Sequence, residues 1–160
     1  MGIRCDTEFE SGADMTLPEL LSMVKRYSAS CKNIVWTGGE PADRITEEVV
    51  EFFRKEGYYQ TIETSGLFPV AENLDFVSLS PKVAEHVIKK NFKHVDELRY
   101  VRHAGQSIPE PGITADYLFI SPHFDGYDPN PEAIKHCMDL ILANPLWRLS
   151  VQDHKIWNIL

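Results

Sequence analysis

Thr37-Gly38-Gly39-Glu40-Pro41 follows three apolar residues, Ile34, Val35 and Trp36. A β-type run that ends this way delivers polar main chain to the carboxyl end of a buried parallel strand. Paired glycines carry no Cβ, so a ligand can lie against the backbone, and Glu40 offers a carboxylate suited to an ammonium group. The other reading of these residues is a strand followed by a Gly-Pro turn. Four more strand-like runs close in small, polar or charged residues: Thr64-Ser65-Gly66, Ser80-Pro81-Lys82, Ser121-Pro122-His123 and Gln152-Asp153-His154. In α/β sheets and barrels, ligand sites form at that edge of the strands, so the endings together point to one site assembled from several loops. Loops are polar in any case, which accounts for one such ending better than for five.

The elements that must position these residues alternate. Thr16-Leu17-Pro18-Glu19 is a capping box, with Met15 and Leu20 placed as a hydrophobic staple. Leu17, Leu20, Leu21, Val24 and Tyr27 share one helical face, which predicts a helix over 16–29. A strand over 33–37 comes next. Asp43 is then in position to cap a helix carrying Ile45, Val49, Phe52 and Phe53 up to Gly57. Strands are expected over 59–64 and 76–79, a helix over 83–90, and strands over 97–102 and 116–121. Asn130 and Pro131 open a helix to Ala143. Its stripe is Ile134, Cys137, Met138, Ile141 and Leu142, and a last strand covers 148–151. The order is that of an α/β protein with a parallel sheet, and residues 1–160 read as a single domain without repeat or linker.

Composition narrows the function. A chain of 160 residues with 43% hydrophobic and 25% charged residues can bury a core of ordinary size. The formal net charge of -8 argues against nucleic acid as partner, because phosphate binding needs clustered Lys and Arg. No apolar run has the length of a membrane span and no signal-peptide pattern opens the chain, so a cytoplasmic protein with a small-molecule ligand is expected. Three widely spaced cysteines, Cys5, Cys31 and Cys137, suit a reducing compartment. Cys137 falls on a helical stripe and reads as a packed thiol. Cys31 precedes a strand at the end away from Gly38, and Cys5 stands before Asp6-Thr7 in a polar segment.

Taken in order, Cys5-Asp6-Thr7, Trp36 to Pro41, Glu63-Thr64-Ser65-Gly66, Ser78 to Lys82 and Leu149 to Lys155 resemble the 7-carboxy-7-deazaguanine synthases, radical S-adenosylmethionine enzymes of queuosine and deazapurine biosynthesis. The likeness covers nearly the whole chain. It implies a partial TIM-like β/α barrel with helices outside the parallel sheet. It implies that Cys5 is a thiolate of a [4Fe-4S] cluster, that Thr7 helps bind Mg²⁺ and that Thr37 contacts substrate. Gly39, Ser80, Pro81, Lys82, Ile120, Ser121, Pro122 and His123 are the implied S-adenosyl-L-methionine contacts. The implied activity is that of a carbon-nitrogen lyase. A 5′-deoxyadenosyl radical takes hydrogen from 6-carboxy-5,6,7,8-tetrahydropterin, the pterin ring contracts and ammonia leaves, with Mg²⁺ orienting the substrate carboxylate. Protein groups position and shield in such a reaction, so no residue is nominated as acid, base or nucleophile. An electron donor such as flavodoxin and a homodimer complete the implied set.

The sequence departs from the family near its start. Members carry two more cysteines, the nearer one three residues before the position of Cys5, and that position here is Gly2. A cubane cluster needs three thiolates when adenosylmethionine takes its fourth iron. The chain as written lacks the family's N-terminal strand and first cluster cysteines, so the expectation is an incomplete or inactive form. Two other functions compete. A non-catalytic S-adenosylmethionine or nucleotide-binding module would keep the loops without the cluster. A metal-dependent hydrolase would use His123, Asp125, Asp128 and His154.

Overall fold

The computed structural model describes residues 12–110, 112–126 and 128–157. Helix α1 (Leu17–Tyr27) starts from the expected capping box: Thr16 and Glu19 each satisfy the other's exposed amide. It ends at Tyr27, two residues short of expectation, and Tyr27 is exposed rather than part of the apolar face. Strand β1 (Asn33–Trp36) leads into a 3-10 turn over Pro41–Asp43. Asp43 is used up in that turn, so Thr46 and not Asp43 caps helix α2 (Glu47–Lys55) by accepting from the Val49 amide.

Strands β2 (Tyr59–Thr64) and β3 (Phe76–Leu79), helix α3 (Glu85–Asn91), and strands β4 (His94–Arg102) and β5 (Thr114–Pro122) follow. The short strands β6 (Phe124–Asp125) and β7 (Asp128–Pro129) make an antiparallel hairpin. Helix α4 (Pro131–Ala143), strand β8 (Trp147–Leu149) and helix α5 (Asp153–Ile156) close the described chain. The last strand begins earlier than expected, because the Trp147 ring is buried against Tyr100 and pulls this residue into the sheet.

Six strands form one sheet in the order β1-β2-β3-β4-β5-β8, every pair parallel. It is an open, incomplete barrel, the expected α/β class. A parallel sheet needs crossover connections, and the helices that make them cover one of its faces. On that face Leu79, Leu98, Tyr100 and Ile120 meet Ile88 of α3 and Cys137 of α4. Ile34 and Trp36 meet Leu21 of α1 and Phe53 of α2 in a second cluster. The α4 stripe is narrower than the sequence reading: Cys137 is fully buried, whereas Met138 and Leu142 face outward.

Gln60 joins the two layers. It is fully buried, accepts from the Trp36 indole at 3.2 Å and donates to the Val50 carbonyl at 2.8 Å. Each polar atom of its side chain therefore has a partner, which removes most of the cost of burying an amide. Phe53 is also fully buried and makes edge-to-face contacts with Trp36, Phe52 and Tyr58 at centroid distances of 5.3, 5.4 and 5.8 Å. Phe53→Ala is expected to lower stability by about 3–5 kcal/mol, as for other large core truncations. Urea titration reads this as a lower midpoint at unchanged slope, and a loss under about 1 kcal/mol would contradict the packing described.

Candidate functional site

Because every strand pair is parallel, the carboxyl ends of all six strands lie along one edge of the sheet. The segments singled out from sequence therefore share that edge. Thr37 and Gly39 follow β1 and are exposed, and Gly38 between them takes φ of 111°, a conformation open to glycine. Ser80, Pro81 and Lys82 follow β3, the first two half-buried and Lys82 exposed. Ser121 and Pro122 end β5 as buried residues, with His123 half-buried just beyond. Ile120 has its side chain in the helix-facing core, and its carbonyl accepts from the Ser150 amide at 2.9 Å. Cys5 and Thr7 lie outside the described residues.

The loops are fastened to each other by Glu40. Its Oε1 accepts from the Thr64 hydroxyl at 2.7 Å and from the Ala42 amide at 3.3 Å. Its Oε2 accepts from the Ser65 amide at 2.9 Å and also from the Ser65 hydroxyl. Four donors of its own chain thus surround the carboxylate. It pins the β2 ending to the β1 ending.

The loop after β2 is then held from two further sides. Main-chain amides of Ser80 and Lys82 donate to the carbonyls of Thr64 and Ser65 at 2.9 and 3.2 Å. Asn91 of α3 donates to the carbonyls of Gly66 and Leu67 at 3.1 and 3.0 Å. Thr37, Gly39 and the Ser80-Pro81-Lys82 corner are thereby brought together around residues 64–66. The Ser121-Pro122-His123 segment lies two strands away from that corner, across β4. The His123 amide donates to the Arg102 carbonyl at 3.0 Å, and its ring lies against that of His103 with centroids 3.9 Å apart.

Side chains alternate along strands, so a second face carries what the helices do not cover. Val35, Tyr59, Val101 and Tyr117 are exposed there, a large apolar showing for a face left open to solvent. Its polar centre is Ser78, Glu97 and Arg99. Ser78 donates to Glu97 Oε1 at 2.8 Å, and Arg99 Nη2 reaches the same oxygen at 2.5 Å. This inner face escaped the sequence reading. The signal for it was the alternation Glu97-Leu98-Arg99-Tyr100, polar and apolar at strand period.

On the helix side of the same edge, Tyr100 donates to Glu85 Oε1 at 3.1 Å. Burial, followed by the adjoining Glu85 carboxylate, pushes its phenol well above the usual value. Burial likewise raises the Cys137 thiol, which marks it as an inert core residue. Cys31 is exposed and precedes β1, at the edge opposite Gly38. For the hydrolase alternative, His123 Nε2 is 3.4 Å from Asp125 Oδ1, but no three His, Cys, Asp or Glu groups among the described residues come together as a metal site. Nor is any helix among them long and apolar enough to cross a membrane.

Compared with protein-family models, the chain matches none. It is similar to curated proteins named 7-carboxy-7-deazaguanine synthase. The one from Bacteroides thetaiotaomicron is 33% identical over 156 residues, covering 97% of this chain and 79% of that protein. The Haemophilus influenzae protein is 31% identical over 166 residues, covering 97% and 77%, and that of Burkholderia multivorans 33% over 174 residues, covering 97% and 77%. Among solved structures, the crystal structure of QueE from Escherichia coli superposes with a TM-score of 0.61 at 19% identity. That match covers 86% of this chain and 64% of the solved one, and it bears on the fold.

Two substitutions test the clamp. Glu40→Ala is expected to speed amide hydrogen exchange at Ala42 and Ser65 by about tenfold or more, the equivalent of one lost charge-assisted hydrogen bond, while Leu98 in the core keeps its protection. Uniform exchange across the sheet would contradict a local clamp. Gly66 has φ of 83°, and an added Cβ would overlap Ile88 Cδ1 and come within 2.9 Å of Leu79 Cδ1. Gly66→Ala should therefore cost about 2–4 kcal/mol in urea denaturation, from backbone strain and overpacking together.

Proposed function

The chain belongs to the 7-carboxy-7-deazaguanine synthase family, and from that premise we propose that its loop-bearing sheet edge binds S-adenosyl-L-methionine above an inner face that takes 6-carboxy-5,6,7,8-tetrahydropterin. The observation that carries this reading is the fastening of the β1, β2 and β3 endings into one surface through Glu40, Thr64 and Ser65. Gly39 offers main chain without a side chain, and Ser80, Pro81 and Lys82 stand beside it across the β2 loop. Ser121, Pro122 and His123, with the main chain of Ile120, bound the far end of the same edge. Thr37 is the substrate contact, placed where β1 opens onto the inner face.

The whole protein's reaction, in this reading, is that of a radical enzyme of the carbon-nitrogen lyase kind: ring contraction of the pterin to 7-carboxy-7-deazaguanine with loss of ammonia. Adenosylmethionine supplies the radical chemistry when a [4Fe-4S] cluster is bound beside it. Cys5 is the thiolate proposed for that cluster and Thr7 the ligand proposed for Mg²⁺. The described residues do not fit a cluster: Cys31 is at the wrong edge and Cys137 is sealed in the core. They hold no metal group either. Their own part is to bind, orient and shield. The Glu40 clamp keeps the loops in place before a ligand arrives, and the inner face excludes water from whatever it covers. A flavodoxin-like electron donor, a homodimer and a cytoplasmic location belong to the same proposal.

Gly2, at the position of the family's nearer cluster cysteine, favours one second reading, a binding module without radical chemistry. Anaerobic reconstitution with iron and sulfide separates the two. Iron bound in stoichiometric amount supports the enzyme, and adenosylmethionine binding without iron supports the module.

Calorimetric titration tests the shared premise. Adenosylmethionine should saturate a single site, and Gly39→Leu should weaken it by about tenfold or more, or roughly 1.4 kcal/mol. Titrations that show no saturable binding, or that are indifferent to Gly39→Leu, would contradict both readings.

A further inference from the structure

One lateral row crosses the inner face. The strand register sets Glu63 beside Ser78, and Ser78 beside Glu97. The β1–β2 register ends with Trp36 beside Ile62, one residue before Thr37 and Glu63. The residue assigned to substrate thus comes directly after β1, and the row runs from Glu63 to Glu97 on the fourth strand.

Glu97 is anchored on one oxygen, and the other has no partner among the described residues. Its Oε1 takes both the Ser78 hydroxyl and Arg99 Nη2. Its Oε2 has no hydrogen bond to the described residues and is not among their sealed, unpartnered atoms. The side chain is only 14% exposed, so this oxygen is largely withdrawn from bulk water. Arg99 balances the charge, which makes a carboxylate tolerable at this depth. Beside it in the register, the Tyr117 ring stacks on Phe76 at 6.5 Å and 24°, a flat apolar surface next to a fixed acceptor.

A carboxylate oxygen at the rim of an aromatic surface matches the N–H edge of an amino-substituted heteroaromatic ring, as acidic side chains take the amino group of cytosine. We infer that Glu97 is a specificity-determining residue that accepts hydrogen bonds from such an edge, with Ser78 and Arg99 as the residues that position it. The inference rests on the function proposed above, which supplies two ligands with that chemistry: the 2-amino-4-oxo ring of a pterin and the 6-amino ring of adenosylmethionine.

The anchoring makes Glu97→Gln a directed test. Ser78 and Arg99 are both donors to the anchored atom, so they hold the amide oxygen of the glutamine. Its NH₂ group then faces the ligand, where donor meets donor. The probes are 6-carboxypterin with its 2-desamino counterpart, and adenosylmethionine with its 6-desamino, purine-riboside-type counterpart, all titrated calorimetrically into the full chain. The wild type should prefer the amino form in one of the two pairs by about tenfold or more, the range for a well-made polar contact. Glu97→Gln should abolish that preference while leaving the desamino ligand's affinity within about twofold. Which pair responds identifies the ligand that Glu97 reads.

A preference unchanged in Glu97→Gln, or equal weakening of amino and desamino forms, overturns the inference and leaves the proposed function standing. Failure of the wild type to bind any of the four overturns both. If Glu97→Gln does not fold, Ser78→Ala loosens one anchor alone and should reduce the preference in part; no reduction there also overturns the inference.

Discussion

The site depends on one carboxylate whose acceptor positions are all taken by its own chain. Glu40 arises directly after the diglycine turn and takes its donors from Thr64 and Ser65, on the next strand's ending. A flexible Thr-Gly-Gly segment is a poor template for a ligand by itself, because each glycine ordered on binding costs conformational entropy. The clamp places that cost in folding rather than in binding. The β3 corner and Asn91 of α3 then hold the same β2 loop, so three strand endings form one surface. Removing the carboxylate would leave four donors to find water or each other, and the loops would lose their common anchor.

The parallel sheet explains why such a surface exists at all. Parallel strands put every carboxyl end on one edge, and their crossovers put helices against one face. That face carries the two apolar clusters. The other face is free to hold polar groups that would be intolerable in a core, and it does so with Ser78, Glu97 and Arg99 tied into one network. Thr37 stands where edge and inner face meet. The geometry therefore separates two surfaces, the fastened loops at the edge and the polar network against the strands.

Much of this was legible in the sequence, and the rest was hidden for definite reasons. Strand endings in Thr-Gly-Gly, Thr-Ser-Gly and Ser-Pro-Lys are local signals, as are the Thr16–Glu19 box and the Asn130 cap, and the structure has them where the sequence put them. Asp43 and Thr46 are both good cap residues; only the preceding Pro41 turn decides between them. The hairpin of β6 and β7 was signalled by Asp125-Gly126 and passed over. The Glu40 clamp was hidden because its partners are 24 and 25 residues away and become neighbours only once β1 pairs with β2. The row from Glu63 to Glu97 was unreadable for the same reason, since it is a product of register across strands rather than of spacing along one.

The central claim is that the fastened strand endings are the adenosylmethionine surface. Amide hydrogen exchange of the full chain with and without adenosylmethionine measures it most directly. Added protection should appear within residues 37–40, 64–66, 80–82 and 120–123, with 31–33, 58–59 and 93–95 at the opposite edge unchanged. Protection confined to the opposite edge or to α4, or none at saturating ligand, would contradict it.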